Sequence, residues 1–360
     1  EKRRRRKRGL MEDPKRFAYI NDLVCEGCGD CSVASNCLSV EPKETPFGRK
    51  RQINLNSCNK DFSCLEGFCP SFVTVENAVR RKRRGTAPAD ILVARGDALP
   101  LPEMPGLEQP YNLLVTGVGG TGVVTVGQLI TMAAHLEGKG GSVLDFMGFA
   151  QKGGPVLSYI RLGDSPDAVN QVRIEKGQAD ALIGCDMIVS SSPKASETFR
   201  VGTTRAVVNT AEMPTGDFTR NRDADFETDA RLDGLRQVLG SNNLQTLAAN
   251  STAEALLGDT VFANVMTLGY AWQMGLVPVG LEALLRAIVL NGVAVDANRQ
   301  AFTWGRIACA DPDYVAALID AGSKASPIEE TLPDMIRRRA DFLARYQDRA
   351  YATRYETLVE

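Results

Sequence analysis

The apolar positions of this chain change period along its length, and the changes mark its organisation. Between residues 111 and 209, short and continuously apolar runs alternate with helical patterns. The runs are 112–116, 142–146, 156–162, 181–183 with 187–190, and 205–209, and an apolar helix is expected to end near Leu136. Strands apolar on both faces suit a parallel sheet covered by helices on either side. Their alternation with helices predicts a mostly parallel α/β domain over 111–310. From residue 252 the period becomes helical, over 253–257, 264–274, 280–290 and 295–307, punctuated by glycines and Pro278. Residues 327–358 read as one or two long Arg-rich helices. Their aromatic stripe of Phe342, Tyr346, Tyr351 and Tyr355 is expected to be a packing face.

Ahead of residue 111 the pattern is weaker. Residues 1–20 read as a charged helix or arm leading into a short strand at 17–20, Pro46-Phe47-Gly48 marks a turn, and 52–55 reads as a second short strand. Residues 85–110 hold Pro88, Pro100, Pro102, Pro105 and Pro110 with no helical period, which predicts a semi-rigid linker. The expected order is therefore a segment 1–16, a small module 17–84, a linker 85–110, the α/β domain 111–310 and a helical segment 311–360.

At 360 residues the chain has room for two or three domains, and its 44% hydrophobic and 24% charged content is that of an ordinary soluble protein. No apolar run approaches the roughly 18 residues a membrane helix needs, so no membrane association is expected. No apolar stretch follows the charged N-terminus as a signal peptide requires, so a reducing cytoplasm is the expected compartment. The net charge of −2 hides an asymmetry, because basic runs at 2–8 and 80–84 make the first 84 residues basic and the remainder acidic. Without interleaved aromatics or a nucleic-acid motif, these runs read as a collar around an anionic site that also meets a carrier protein, not as a nucleic-acid arm. The chain opens at Glu1 inside a polar run and stops at Glu360 inside a helical pattern, so a piece of a longer polypeptide is expected.

Seven of the nine cysteines fall between residues 25 and 69. Cys25, Cys28 and Cys31 have the x2-x2 spacing with which one tight turn presents three thiolates to an iron–sulfur cubane. In two-cluster ferredoxins the fourth ligand is a distant cysteine followed by proline, which here is Cys69. Cys58, Asp61 and Cys64 repeat the spacing with a carboxylate in the middle place, to be completed by Cys37. That set leaves three readings open: an Asp-ligated [4Fe–4S] cluster, a [3Fe–4S] cluster lacking the Asp corner, or no second cluster. Structural zinc prefers paired Cys-x2-Cys sets and a disulfide framework suits small secreted chains, so iron–sulfur is the expected chemistry.

Gly117-x-Gly119-Gly120-x-Gly122 after a strand matches the dinucleotide fingerprint, with Asp145 placed where a ribose-binding acid would sit. The same glycines also serve plain helix–sheet packing. His135, the lone histidine, reads as structural or exposed, and Cys185 and Cys309 read as core cysteines. No thiamine-diphosphate motif of the Gly-Asp-Gly type with a downstream Asn-Asn is present, and no catalytic residue is assigned.

The motifs at 24–37, 51–71, 117–127, 147–158, 208–210 and 298–302, with the Tyr346, Tyr351 and Tyr355 pattern, run almost end to end. Together they resemble the fused, single-chain indolepyruvate ferredoxin oxidoreductases within the 2-oxoacid:ferredoxin oxidoreductases. The resemblance implies an α/β architecture: a ferredoxin-like iron–sulfur module, then a mostly parallel gamma-type domain, then a helical C-terminal extension. Residues 1–16 would close a thiamine-diphosphate domain. It also implies oxidative decarboxylation of a 2-oxoacid to an acyl-CoA, with thiamine diphosphate and Mg in the full enzyme and ferredoxin as electron acceptor. Coenzyme A, other domains of the same polypeptide and a second copy in a homo-oligomer are expected partners. It further implies that the glycine turn is not an NAD site. Two rival classes remain, a flavin or NAD oxidoreductase feeding a ferredoxin module and a non-catalytic electron carrier.

Overall fold

Two antiparallel strand pairs form the first part of the chain: β1 (Arg16–Ile20), α1 (Asp30–Ser35), β2 (Val40–Thr45), β3 (Gly48–Ile53) and β4 (Phe72–Glu76), with β1 against β4 and β2 against β3. The computed structural model describes residues 5–6, 9–67, 69–78, 89–147, 153–213, 221, 223, 225–322 and 331–359. Most of the two basic runs, and residues 148–152 of the 147–158 motif, lie outside the described residues.

The sheet follows. Its elements in order are α2 (Ala89–Ala98), β5 (Tyr111–Val118), α3 (Val123–Leu136), β6 (Gly140–Met147), β7 (Pro155–Gly163), β8 (Ala181–Gly184), α4 (Met187–Ser190), α5 (Pro193–Ser196), β9 (Arg205–Asn209), α6 (Thr228–Leu239) and β10 (Leu244–Leu247). Helices α7 (Ala249–Leu257), α8 (Ala263–Gln273), α9 (Leu281–Asn291), α10 (Val295–Ala310) and α11 (Pro312–Gly322) come next. The strand order is β10-β9-β8-β5-β7-β6. β10, β9, β8 and β5 run parallel, and β7 is antiparallel to both β5 and β6. The expected mostly parallel α/β sheet is present, with one reversed strand inside it.

Alternate residues of each strand enter different cores, as the period of two requires. Leu113, Val115, Ile160, Leu162, Ala181, Ile183 and Val207 face the core built with α3 and α7 to α11. Leu114, Val118, Leu157, Tyr159, Leu182, Ala206 and Val208 face the core closed by α4, α5 and α6. This two-sided burial explains the continuous apolar runs.

Three expectations need correction. Residues 187–190 are not a strand but the short helix α4, because the Asp186 carboxylate accepts from Val189 N and caps the turn. Residues 89–98, placed in a linker, form α2, whose Leu92 is buried in the main core, while the prolines at 100, 102, 105 and 110 fall after the helix. The helical segment expected from 311 starts later, since Val315 of α11 joins the same core and the first compact unit runs to Ile319. The short strand β10, buried at its two ends only, was not anticipated.

The second unit, Asp320–Glu360, contains the helices α12 (Leu332–Tyr346) and α13 (Arg349–Val359). Thr331 Oγ1 accepts from Asp334 N at the start of α12, and Pro333 follows in its first turn. Ala340 and Ala352 are the buried positions of the pair. The aromatic stripe stacks on itself, with Phe342 6.5 Å from Tyr346 and Tyr346 6.4 Å from Tyr351, yet these rings stay exposed.

Helices α8 and α10 pack backbone to backbone through glycine. A Cβ at Gly269 would strike the Phe302 carbonyl, and one at Gly305 the Met266 carbonyl. An alanine in a helix normally gains about 1 kcal/mol over glycine, but forcing these helices apart costs about 1–3 kcal/mol, so the clash dominates. Gly305→Ala is expected to lower the denaturant midpoint of unfolding, and a raised midpoint would show that the helices separate freely.

Asp186 yields a pH prediction. It is fully buried, its second carboxylate oxygen accepts from Met213 N (3.0 Å), and burial pushes its pKa up from 3.8 to about 6 against the backbone bonds and Arg231. Between these values the folded chain holds a proton that the unfolded chain has released, so stability falls as pH rises through that window. The contribution is present below pH 4 and lost above pH 6, on the order of 2–3 kcal/mol. Urea unfolding across pH 4–7 is expected to show this slope, and Asp186→Asn to flatten it.

Candidate functional site

The two halves of the cysteine module are one piece of backbone used twice. Asn21 opens the first: its Oδ1 accepts from Leu23 N (3.1 Å) and its carbonyl from Val24 N and Cys25 N (3.1 and 2.9 Å). Asn54 opens the second: its Oδ1 accepts from Asn56 N (2.9 Å) and its carbonyl from Ser57 N and Cys58 N (3.2 and 3.0 Å). Cys25 Sγ then accepts from Gly27 N (3.4 Å), and Cys58 Sγ from Lys60 N (3.3 Å). Left-handed backbone follows at Gly27 and Gly29 (φ 78° at each) and at the matching Lys60 and Phe62 (φ 51° and 62°). Asp61 therefore occupies the backbone place of Cys28.

The loops are tied crosswise. Asn21 N donates to the Ser71 carbonyl and Asn54 N to the Ser39 carbonyl, both at 2.8 Å. The segment carrying Cys69 is thus bound to the start of the first loop, and the segment carrying Cys37 to the start of the second.

Between the loops, Ile20, Cys25 and Val40 form a small buried core, packed by Cys31, Cys37, Ile53, Cys64 and Phe72. Neighbouring thiols act on two of the half-buried cysteines, Cys31 and Cys64. Burial raises the Cys31 thiol, the Arg51 charge opposes the rise, and Cys25 and Cys28 add to it. Burial pushes Cys64 up to about 11, with Cys37, Cys58 and Asp61 adding to the rise. Among the described residues no group of three or more Cys, His, Asp or Glu side chains converges closely enough to hold a metal ion. Asp61 is exposed and its Oδ1 accepts from Ser63 N and Oγ (3.3 and 3.1 Å), capping the single turn Ser63–Leu65.

Sequence reasoning missed two charged groups in this module. Arg51 on β3 is 1% exposed, with its guanidinium donating to the Lys50 carbonyl (3.4 Å). Glu41 on β2 accepts from Asn54 Nδ2 (2.7 Å), and burial pushes it up to about 7 against that bond. Both lie in polar stretches that read as solvated strands. Only the internal repeat, which sets Arg51 opposite the buried Ala18, could have exposed the first.

The glycine turn sits at the C-terminal end of β5, beside β8, where the strand order switches sides and α/β proteins commonly bind ligands. Its glycines are engaged by the chain itself. A Cβ on Gly117 would lie 2.6 Å from Val123 Cγ2, and one on Gly119 would lie 3.2 Å from the Gly154 carbonyl. Gly119 N donates to Gly154 O (2.8 Å), Gly153 N to Gly119 O (3.3 Å), and Asn264 Nδ2 to Thr121 O (3.1 Å). Gly120 and Gly122 carry the left-handed turn (φ 86° and 101°). Asp145 does not reach this turn. β7 separates β6 from β5, so Asp145 stands two strands away, about 10 Å by sheet spacing, and accepts from Ser158 Oγ (2.5 Å). The ribose-binding role is thereby lost. His135 is exposed on α3, Cys185 is buried and Cys309 is half-buried.

Among known proteins, the chain is similar to an indolepyruvate oxidoreductase subunit IorB of Archaeoglobus fulgidus, 28% identical over 196 residues, covering 54% of this chain and 92% of that one. The corresponding subunit of Pyrococcus horikoshii is 26% identical over 204 residues, covering 54% and 94%. A solved structure of pyruvate oxidoreductase subunit PORC from Thermotoga maritima is 23% identical and covers 55% of this chain and 96% of that one, with a TM-score of 0.40. The profile described as pyruvate ferredoxin/flavodoxin oxidoreductase matches residues 112–308, leaving the cysteine module outside the match. With more than half of its length matched, this chain belongs to the pyruvate ferredoxin/flavodoxin oxidoreductase family.

Proposed function

We propose that this chain is the electron-transfer and gamma-type portion of a 2-oxoacid:ferredoxin oxidoreductase acting on an aryl pyruvate such as indolepyruvate. The observation that carries the reading is the duplicated ligand loop. A non-glycine residue with left-handed backbone costs about 1–2 kcal/mol, and the second loop holds two of them, Lys60 and Phe62. The first loop takes the same turns at Gly27 and Gly29, so the chain keeps one loop geometry twice, each time with cysteines at matching positions.

The donor chemistry agrees with the backbone. Cys25, Cys28, Cys31 and Cys69 would hold one iron–sulfur cluster, and Cys37, Cys58, Asp61 and Cys64 the other. Such clusters supply one-electron relays between the substrate's oxidation and ferredoxin. The chain's own part is to fix the ligand loops, to keep water from Cys25 and Val40, and to seat the module against the α/β domain through Asn56 Nδ2 and Thr260 Oγ1 (2.9 Å). Thiamine diphosphate, Mg and the coenzyme A reaction would belong to other parts of the enzyme. The similarity of about half of this chain to IorB subunits supports an indolepyruvate-type substrate. The dinucleotide reading loses its support with Asp145 held away from the glycine turn.

Anaerobically purified chain is expected to contain about eight irons and, after reduction by dithionite, two paramagnetic centres, as two cubanes require. About four irons with a single centre would defeat the two-cluster reading. After reduction by dithionite and removal of the excess, the chain is expected to reduce added ferredoxin. If the clusters are intact and no transfer occurs, ferredoxin is not the acceptor.

Asp61 gives the sharper test. Oxygen holds a soft iron site less tightly than thiolate, so mild oxidation is expected to remove one iron from the second set only. Asp61→Cys is expected to suppress that loss, followed as the growth of a [3Fe–4S] signal. Equal iron loss in the parent and the variant would mean that Asp61 only caps the turn Ser63–Leu65.

A further inference from the structure

The glycine turn has no ribose-binding acid beside it, but two of its residues bond segments that also touch the cysteine module. The first path leaves at Gly119. Gly119 N donates to the Gly154 carbonyl (2.8 Å), and Gly153 N donates to the Gly119 carbonyl (3.3 Å). Pro155 of β7 stands opposite Val118 of β5, so these bonds extend the pairing of the two strands. Gly153 takes left-handed backbone (φ 73°), and a Cβ there would strike the Leu38 side chain. Ser39 follows Leu38, and its carbonyl accepts from Asn54 N (2.8 Å) where the second cysteine loop opens.

The second path leaves at Thr121. Its carbonyl accepts from Nδ2 of Asn264 (3.1 Å), a residue only 6% exposed. Asn264 is the second residue of α8, directly after the single turn Thr260–Phe262. Asp259 Oδ1 accepts from Val261 N (3.0 Å) and caps that turn, which fixes Thr260 relative to Asn264. Thr260 Oγ1 then accepts from Asn56 Nδ2 (2.9 Å). The two paths start two residues apart in the turn and end two residues apart in the loop, just ahead of Cys58. One contact would leave the loop free to pivot, and two separated contacts do not. Glycine is what permits the approach, since a Cβ on Gly119 would lie 3.2 Å from the Gly154 carbonyl.

We propose that the glycine turn seats the second cysteine loop, so that turn and loop are energetically coupled. The proposal concerns protein segments alone and holds whatever the cysteines bind. Coupling between two segments is reciprocal: a change at the turn loosens the loop, and a change in the module loosens the turn. The fingerprint glycines thereby have a use that nucleotide binding does not supply.

The test is amide hydrogen exchange of the full 360-residue chain, purified anaerobically and read at single amides, because exchange reports local opening. The first loop is the internal reference, with Val24 N and Cys25 N on the Asn21 carbonyl as Ser57 N and Cys58 N are on that of Asn54. Asn264→Ala and Asn264→Leu both remove the donor, the first leaving space and the second filling it, so that one well-folded variant suffices. Exchange at Ser57 and Cys58 is expected to rise about fivefold, the effect of one lost hydrogen bond, with Val24 and Cys25 within about twofold of the parent. Leu38→Ala alters only the module and is expected to speed exchange at Gly119 and Gly153. Unmoved exchange at Ser57 and Cys58, or equal acceleration in both loops, would overturn the proposal. An effect of Thr260→Val without one from either Asn264 variant would assign the seat to α8 alone and overturn the part of the turn.

Discussion

Each of the two matching loops takes left-handed backbone at the second and fourth residues after its leading cysteine, and the module is built around those turns. The first loop makes them with Gly27 and Gly29. Gly27 is doubly constrained, because a side chain there would also strike β3 at the Arg49 carbonyl. The second loop makes the same turns with Lys60 and Phe62 and needs outside support. Lys60 Nζ bonds Asp13 Oδ2 (2.7 Å) and the Pro14 carbonyl (2.9 Å) and lies 4.0 Å above the Phe17 ring. The Arg16 guanidinium lies 5.0 Å from the centre of the Phe62 ring. β1 and the residues before it therefore brace the loop that glycine does not. The Asn21 and Asn54 turns, and the crossed bonds to Ser71 and Ser39, fix where each loop starts.

A different constraint shapes the α/β domain. Inserting β7 between β5 and β6 keeps the helical crossover through α3 but moves the end of β6 away from the glycine turn. The residues at the C-terminal ends of the parallel strands are consumed by local bonding. Asn209 donates to the Cys185 carbonyl and Asn250 Oδ1 and accepts from Ala211 N and Ala249 N, joining the ends of β8, β9 and β10. Asp186 holds Val189 N and Met213 N. The result is a rigid rim in which the fingerprint glycines serve close packing, so one short motif accompanies two different uses.

How much of this was legible in the sequence depends on period and spacing. The runs at 112–116, 156–162 and 205–209 lie within or coincide with β5, β7 and β9, because strands buried on both faces leave an unbroken apolar signal. Residues 187–190 carry the same signal and misled it, since a four-residue apolar run cannot distinguish a buried strand from a buried turn of helix, and the cap at Asp186 decides the matter. The prolines after α2 hid the short helix ahead of them. In the cysteine module, spacing showed the two loops and the odd carboxylate. It could not show that Lys60 and Phe62 take left-handed backbone, or that Arg51 is buried, because a polar strand residue looks the same whether it faces water or the interior.

The module is attached to the α/β domain unevenly. Asn56, two residues before Cys58, bonds Thr260 of the α/β domain, and Leu38, next to Cys37, stands so close to Gly153 that a Cβ there would strike it. Both contacts belong to segments of the second set. The first loop rests instead on β3, the strand that carries the buried Arg51. The α/β domain thus holds the second loop from outside, while β3 supports the first loop from within the module.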